Sequence, residues 1–502
     1  MPEAQASRET ELTVRTEAGS VAGFALASGV RVFRGIPFAA PPVGEMRWRP
    51  PAPPLPWSGI REATEWGADC PQPAPPAGGP SSSRAGKQSE DCLNLNIWAP
   101  AAKPGERLPV LVWLFGGSFM VGSPSDILFD GEKFAKQGVI LITANYRVGV
   151  FGFLAHPALT AESPHRSSSN YALLDQLAAL RWIRDNIASF GGDPKRVTSF
   201  GVSAGSASIS LLLTSPLAKD LFQQAILESP GAFRPLASLA EAEAYGLKLG
   251  NDLAQLRRMS SEELLAKTPL FVPKMRGLTS PRVLRPIRDG WVIPRDEREA
   301  FATGHYQPMP IIVGTNRDEG TVFVGAWPVT DMAAYRAFAV ENFGAAADAA
   351  LQQYSAAVDA EVLPRVAEMF ADTQFNYGAW ALARAMARSG KGTWRYLFLK
   401  RRAGQTEGPN HGDEVPFAFG VSGPSRKGAA FDADDLALSQ TMMKLWVQFA
   451  RTADPNGAGV LWPRYDPSRD NYLELASPIR EGSGWRRDKM VFIDRFFDGK
   501  AA

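Results

Sequence analysis

The 502-residue chain is 45% hydrophobic and 21% charged, an ordinary globular composition with enough apolar content for a large core. A formal net charge of +2 argues against a nucleic-acid partner, which selects a concentrated basic face. No apolar run reaches the length of about 18 residues that a membrane span needs, and the start, MPEAQASRETELTV, lacks the basic and apolar regions of a signal peptide; the chain is expected in the cytoplasm, or outside it with a leader already removed.

In chain order, ELTVRTEAGSVAGFAL and VRVFRGIPFAAPP alternate and read as antiparallel strands with turns. Cys70 and Cys92, the two cysteines of the chain, flank a Pro/Gly/Ser-rich stretch, PQPAPPAGGPSSSRAGKQSED. A clip across its base is worth roughly 3 kcal/mol in the chain-entropy model; two unpaired thiols are the other reading. Two thiols without a histidine cluster do not make a zinc site, so no metal is expected. LPVLVWLFGG and GVILITANYRVG are apolar runs suited to buried strands. NYALLDQLAALRWIRDNIASFGGDP has helical spacing, with Leu173, Leu177, Leu180 and Ile183 on related faces, closed by Gly191-Gly192 and Pro194. KRVTSFGVSAGSASISLLLTS reads strand, turn, helix, and FQQAILESPG and MPIIVGTNRDEG read as further strands. Alternating strands and helices predict an α/β class with one long sheet. The helix-rich stretches at about 236–300 and 331–390 read as insertions covering the active face of one domain, since no linker divides residues 1–502. LSQTMMKLWVQFART is a helix for the core or for a subunit contact, so monomer and homodimer both stay open.

Gly201-Val202-Ser203-Ala204-Gly205 fits G-x-S-x-G, in which a serine occupies a sharp strand-to-helix turn and small neighbours let the chain fold back. A serine hydroxyl needs a base, and the chain has four histidines. His156 and His165 precede the serine, against the order Ser, acid, His of such folds; His305 reads as a surface turn. His411, in GPNHGDEVPFAFG, follows every strand the fold needs. The acid belongs between Ser203 and His411, and IIVGTNRDEGTVF offers Asp318 and Glu319, between which the residues alone do not choose. Backbone donors for an oxyanion are available from Ala204 and from Gly117 and Ser118 in WLFGGSF.

Taken together, FRGIPFAAPPVGEMRWRPP, SEDCLNLNIWAP, NYRVGVFGFL, GTNRDEGTVF, HGDEVPFAFG and WVQFARTADPNG resemble the type-B carboxylesterases over nearly the whole chain. The resemblance implies an α/β-hydrolase fold, cofactor-free hydrolysis of small-molecule esters, and a triad of Ser203, Glu319 (rather than Asp318) and His411. It further implies oxyanion donors at Gly117, Ser118 and Ala204, a Cys70–Cys92 bridge, and buried ion pairs Arg34–Glu90 and Arg147–Asp175. Three departures stand out. Val202 replaces a glutamate of the family's G-E-S-A-G, and Phe115 and Ser118 replace a histidine and a glycine of H-G-G-G. The cysteine loop lacks the tryptophan that binds choline by cation–π contact, which argues against choline esters. Between residues 274 and 288 lie Lys274, Arg276, Arg282, Arg285 and Arg288 and no acid. Such a run is a solvated face or, more sharply, pocket-lining arginines for an ester with free carboxylates. An amidase, or a non-catalytic binding or adhesion homologue on the same fold, are the alternatives to an esterase.

Overall fold

A computed structural model describes residues 12–74, 83–101, 105–273, 275–421, 431–457 and 459–499; the first residues of the chain, part of the stretch between the cysteines, and Lys274 lie outside the described residues. Eleven strands form one mixed sheet: β1 (Phe24–Ala25), β2 (Arg31–Pro37), β3 (Asn94–Ala99), β4 (Leu108–Leu114), β5 (Ile140–Ala144), β6 (Gly192–Val202), β7 (Gln224–Glu228), β8 (Ile311–Asn316), β9 (Thr393–Phe398), β10 (Asn471–Leu475) and β11 (Arg480–Ser483). Their order across the sheet is β11-β10-β9-β8-β7-β6-β4-β5-β3-β2-β1. The strands from β5 across to β10 pair in parallel, and antiparallel strands extend both edges. Every residue of β4, β5, β7, β8 and β9 is buried, because helices cover both faces of a parallel sheet and alternation then has no polar side to serve. Thr13–Arg15, Ser20–Ala22 and Ile60–Glu62 make a separate three-stranded sheet.

Helix α1 (Tyr171–Asn186) buries Leu173, Leu177, Leu180 and Ile183 as its spacing predicts. Helix α2 (Ala204–Thr214) follows β6 directly and is buried along its whole length. Helices α3 (Met332–Phe343), α4 (Asp359–Ala371) and α5 (Tyr377–Ala387) occupy the second helix-rich stretch, and five π-helical residues, Asp372–Asn376, join α4 to α5. Helix α6 (Ala433–Thr452) buries Leu438, Met442, Leu445, Trp446 and Phe449, so it is core. Among the described residues no helix is long and apolar enough to cross a membrane.

Cys70 and Cys92 are bonded. Arg147 and Asp175 form a buried two-point pair at 2.8 and 2.7 Å. The expected Arg34–Glu90 pair does not form. Glu90 instead binds Arg47, through Nε at 2.7 Å and a terminal nitrogen at 2.5 Å. A register shift in β2 between Phe33 and Ile36 re-aims Arg34, as bulges do. Its guanidinium lies 4.2 Å from the Trp66 ring centroid and 4.7 Å from that of Phe24, and donates to Thr64 O.

Candidate active site

Strand β6 ends at Val202 and α2 starts at Ala204, leaving Ser203 alone in the turn with φ 56° and ψ −117°. A non-glycine residue holds such a conformation only where its surroundings over-determine it. Here Ser203 N–H donates to Glu228 O at 2.9 Å, and Ser203 O accepts from Ala207 N–H at 2.8 Å. The turn also needs its glycines: a Cβ on Gly205 would sit 1.9 Å from Leu114 O, and one on Gly201 2.5 Å from the same atom. Helix α2 therefore packs directly against the end of β4.

The chain leaving β4 forms the next wall. Gly117 has φ 118°, and a Cβ there would meet Val121 O at 2.0 Å. Gly117 O accepts from the N–H groups of Met120 and Val121, which closes a tight loop. Ser118 and Phe119 also take positive φ, 58° and 64°. Among the described residues the N–H groups of Gly117 and Ser118 have no acceptor, and Ala204 N–H opens a helix, where it has no intrahelical partner. Phe115 stacks on Tyr146 with ring centroids 4.1 Å apart, and Tyr146 OH donates to Phe115 O, so the side chain in place of a histidine is spent on packing. Val202 is buried against Gly116.

Glu319 and His411 come together from loops beyond β8 and β9. His411 Nδ1 and Glu319 Oε2 are 2.5 Å apart. The other oxygen of Glu319 accepts from Ser229 Oγ at 2.5 Å and Asn316 N–H at 2.6 Å, so the carboxylate is buried yet fully engaged. Asp318, its neighbour, instead accepts from Gly408 N–H at 3.0 Å and ties the two loops together. Phe375 stacks on the His411 ring at 4.2 Å and Phe323 meets it edge-on at 5.2 Å. Burial pulls the imidazole pKa down, but the charge of Glu319 and its hydrogen bond, with Glu414 and Asp413 nearby, leave it raised above the usual 6.5. Among the described residues His411 Nε2 is buried and makes no hydrogen bond, so Ser203 Oγ and Nε2 are not bonded in this structure.

A second buried acid, Glu414, hydrogen-bonds Asn316 Nδ2 behind this pair, and lies 3.4 Å from Ser229 Oγ. Burial and the charge of Glu319 push it up to about 7. Ser229, Asn316 and Glu414 are absent from the sequence candidates; only the spacing of Glu414, three residues after His411, could have flagged it. The remaining histidines have other duties. His156 is buried and caps the helix Pro157–Glu162, His165 stacks on Trp291, and His305 is exposed beside Thr303. Of the basic run, Arg288 is exposed, whereas Arg276, Arg282 and Arg285 are partly buried, and Arg276 donates to Ser118 Oγ at 3.4 Å.

A serine at a strand-to-helix turn and an acid-bound histidine, both on loops at the carboxyl ends of a parallel sheet, are the layout of a serine hydrolase on the α/β-hydrolase fold. The sequence profile described as "Carboxylesterase family" matches residues 10–492. The chain belongs to that family and is a carboxylic-ester hydrolase. It is 44% identical over 495 residues to the fumonisin B1 esterase of Sphingopyxis macrogoltabida, covering 96% of this chain and 90% of that one. It is 38% identical to the para-nitrobenzyl esterase of Bacillus subtilis (strain 168), covering 94% and 96% of the two chains. A solved structure of a PNB esterase superposes with a TM-score of 0.83 at 34% identity, covering 96% of this chain and 100% of that chain.

Proposed function

We propose that Ser203 attacks the ester carbonyl while His411 Nε2 takes its proton, with Glu319 holding the imidazole and stabilising its charged form. The N–H groups of Gly117, Ser118 and Ala204 receive the oxyanion. His411 then protonates the departing alcohol, and water releases the acid from Ser203 by the same route. The observation that carries this reading is the 2.5 Å His411–Glu319 contact, which leaves Nε2 as the free nitrogen of a buried ring. The same reading favours esters whose acid half is anionic, supported by Arg276, which donates to Ser118 Oγ at 3.4 Å, and by Arg285, 5.7 Å from the ring of Phe119. Fumonisin B1, named for the 44% identical relative, is accordingly worth assaying alongside simple esters.

Hydrolysis of a p-nitrophenyl ester by the wild type and by Ser203→Ala tests the nucleophile. The expected loss in kcat is on the order of 10⁴–10⁶. Equal activity in the two proteins would remove Ser203 from the mechanism.

A further inference from the structure

Arg234, Arg276, Arg282 and Arg285 stand close enough for their charges to repel one another. None has an ion-pair partner among the described residues. Glu297 lies near Arg234 but gives its oxygens to Ser210 Oγ at 2.6 Å and Phe233 N–H at 2.8 Å. Arg282 donates to Gly277 O and to Gln374 Oε1, both neutral acceptors, and the Nε atoms of Arg234 and Arg282 are buried with no acceptor among the described residues. Each side chain keeps some accessible surface although protein surrounds it on most sides, the situation of groups that line a recess.

Their neighbours place that recess at Ser203 and His411. Arg276 bonds Ser118, and lies 6.0 Å from the Phe323 ring, which touches His411. Arg282 holds Gln374, and the next residue, Phe375, stacks on His411. Arg285 lies 5.7 Å from the ring of Phe119, beside Ser118. An unpaired buried charge is strongly destabilising, and a guanidinium does not escape by losing its proton. Three of them around the proposed site, with Arg234 close enough to repel them, therefore call for negative charge from the ligand.

We infer that Arg234, Arg276, Arg282 and Arg285 form a receptor for the acid half of the ester, and that this acid carries at least two free carboxylates besides the scissile one. A single carboxylate pairs with one or two guanidiniums and would leave the others uncompensated. The inference rests on the proposed roles of Ser203 and His411 and goes beyond them: the receptor also binds the free polycarboxylate, so the acid product competes with substrate. Ser118 becomes a specificity residue, because its Oγ orients Arg276 beside the oxyanion donors and a glycine there would not.

Citrate is the probe, with butyrate as the monocarboxylate control at matched ionic strength, titrated calorimetrically into Ser203→Ala protein. Citrate is expected to bind at least about tenfold more tightly than butyrate, and to lose about tenfold or more when Arg276→Gln or Arg285→Gln is added. Both glutamine variants should raise Tm, since each removes buried repulsion; a scaffolding arginine would lower it. Arg276→Lys, which keeps the charge but not the fork, should weaken citrate in a folded protein. Citrate binding no better than butyrate, or unchanged by these variants, overturns the receptor. The titration needs no turnover, so citrate failure with wild-type ester hydrolysis intact sinks the receptor alone. Citrate binding with an inactive wild type sinks the proposed roles of Ser203 and His411 alone.

Discussion

Ser203 and His411 are set up by opposite means, backbone strain for one and charge for the other. Ser203 is pinned in a rarely occupied conformation by bonds to Glu228 and Ala207. His411 is pinned by Glu319; burial lowers the imidazole pKa, but the charge and hydrogen bond of Glu319, with Glu414 and Asp413, together raise it above 6.5. In the proposed mechanism only the neutral ring accepts the serine proton, so a raised pKa moves the acidic limb of kcat/KM to higher pH. The profile of a neutral ester should therefore rise through a half-activity point above 6.5. In Glu319→Gln the charge is gone while burial remains, so that limb should move to lower pH. Its plateau should fall roughly 10³–10⁴-fold, the scale on which removing the orienting carboxylate acts in such constellations. A limb that stays in place in Glu319→Gln would mean that Glu414 and Asp413, the other acids facing the ring, set the pKa instead. Single residues were legible to the extent that chain order constrained them. His411 followed from the elimination of three other histidines. The choice of Glu319 over Asp318 needed the family resemblance, because adjacent carboxylates differ only in where the loop points them. Arg34 illustrates the limit: a one-residue bulge in β2 swings it onto Trp66 and leaves Glu90 to Arg47.

At the scale of elements, the strand-to-helix unit was readable from its glycines because their need is local and steric. Leu114 O lies 1.9 Å from the Cβ position of Gly205, and backbone cannot give way as a flexible side chain can. Gly205→Ala should cost about 3 kcal/mol, the upper part of the usual overpacking range, and should displace Ser203 from the end of β4. Denaturant midpoints and the rate of p-nitrophenyl ester hydrolysis should fall together; a stable, fully active Gly205→Ala would contradict this packing. By contrast, Asp372–Asn376 could not be read as π-helix, because tertiary partners impose it. Asp372 is held by Arg486 and by Tyr354 OH, both at 2.8 Å, and Gln374 donates to Leu278 O and accepts from Arg282. The extra residue turns Gln374 and Phe375 toward His411 and the arginines, and π-helical turns recur at functional sites. Nothing in the composition of DTQFN signals it.

For the whole molecule, the sheet order explains why residues far apart in the chain meet. Strands β4, β6, β7 and β8 are neighbours running in one direction, so their carboxyl ends, carrying Gly117, Ser203, Ser229 and Glu319, open on one edge. Buried apolar runs made the parallel core legible, but strand order depends on contacts that sequence periodicity does not contain. The Cys70–Cys92 bond belongs to this scale too, because it reaches the site through the chain beside it. Gln72, two residues past Cys70, donates to Gly122 O at 2.9 Å and accepts from Gly122 N–H at 2.7 Å, and Gly122 closes the loop that begins at Gly117. Asp69, on the other side of Cys70, bonds Ser123 Oγ. Reduction should therefore act twice. Releasing a cross-link of sequence separation 22 should cost about 3 kcal/mol, which in a chain of this size lowers Tm by only about 3 °C. Loosening the clamp on Gly122 should also blur the position of the Gly117 and Ser118 N–H groups, which as the proposed oxyanion donors would act on the transition state more than on the bound ester. The Cys70→Ser/Cys92→Ser enzyme should accordingly lose kcat while KM changes little, at temperatures where circular dichroism shows it fully folded. An equal loss spread over both parameters would assign the disulfide to stability alone.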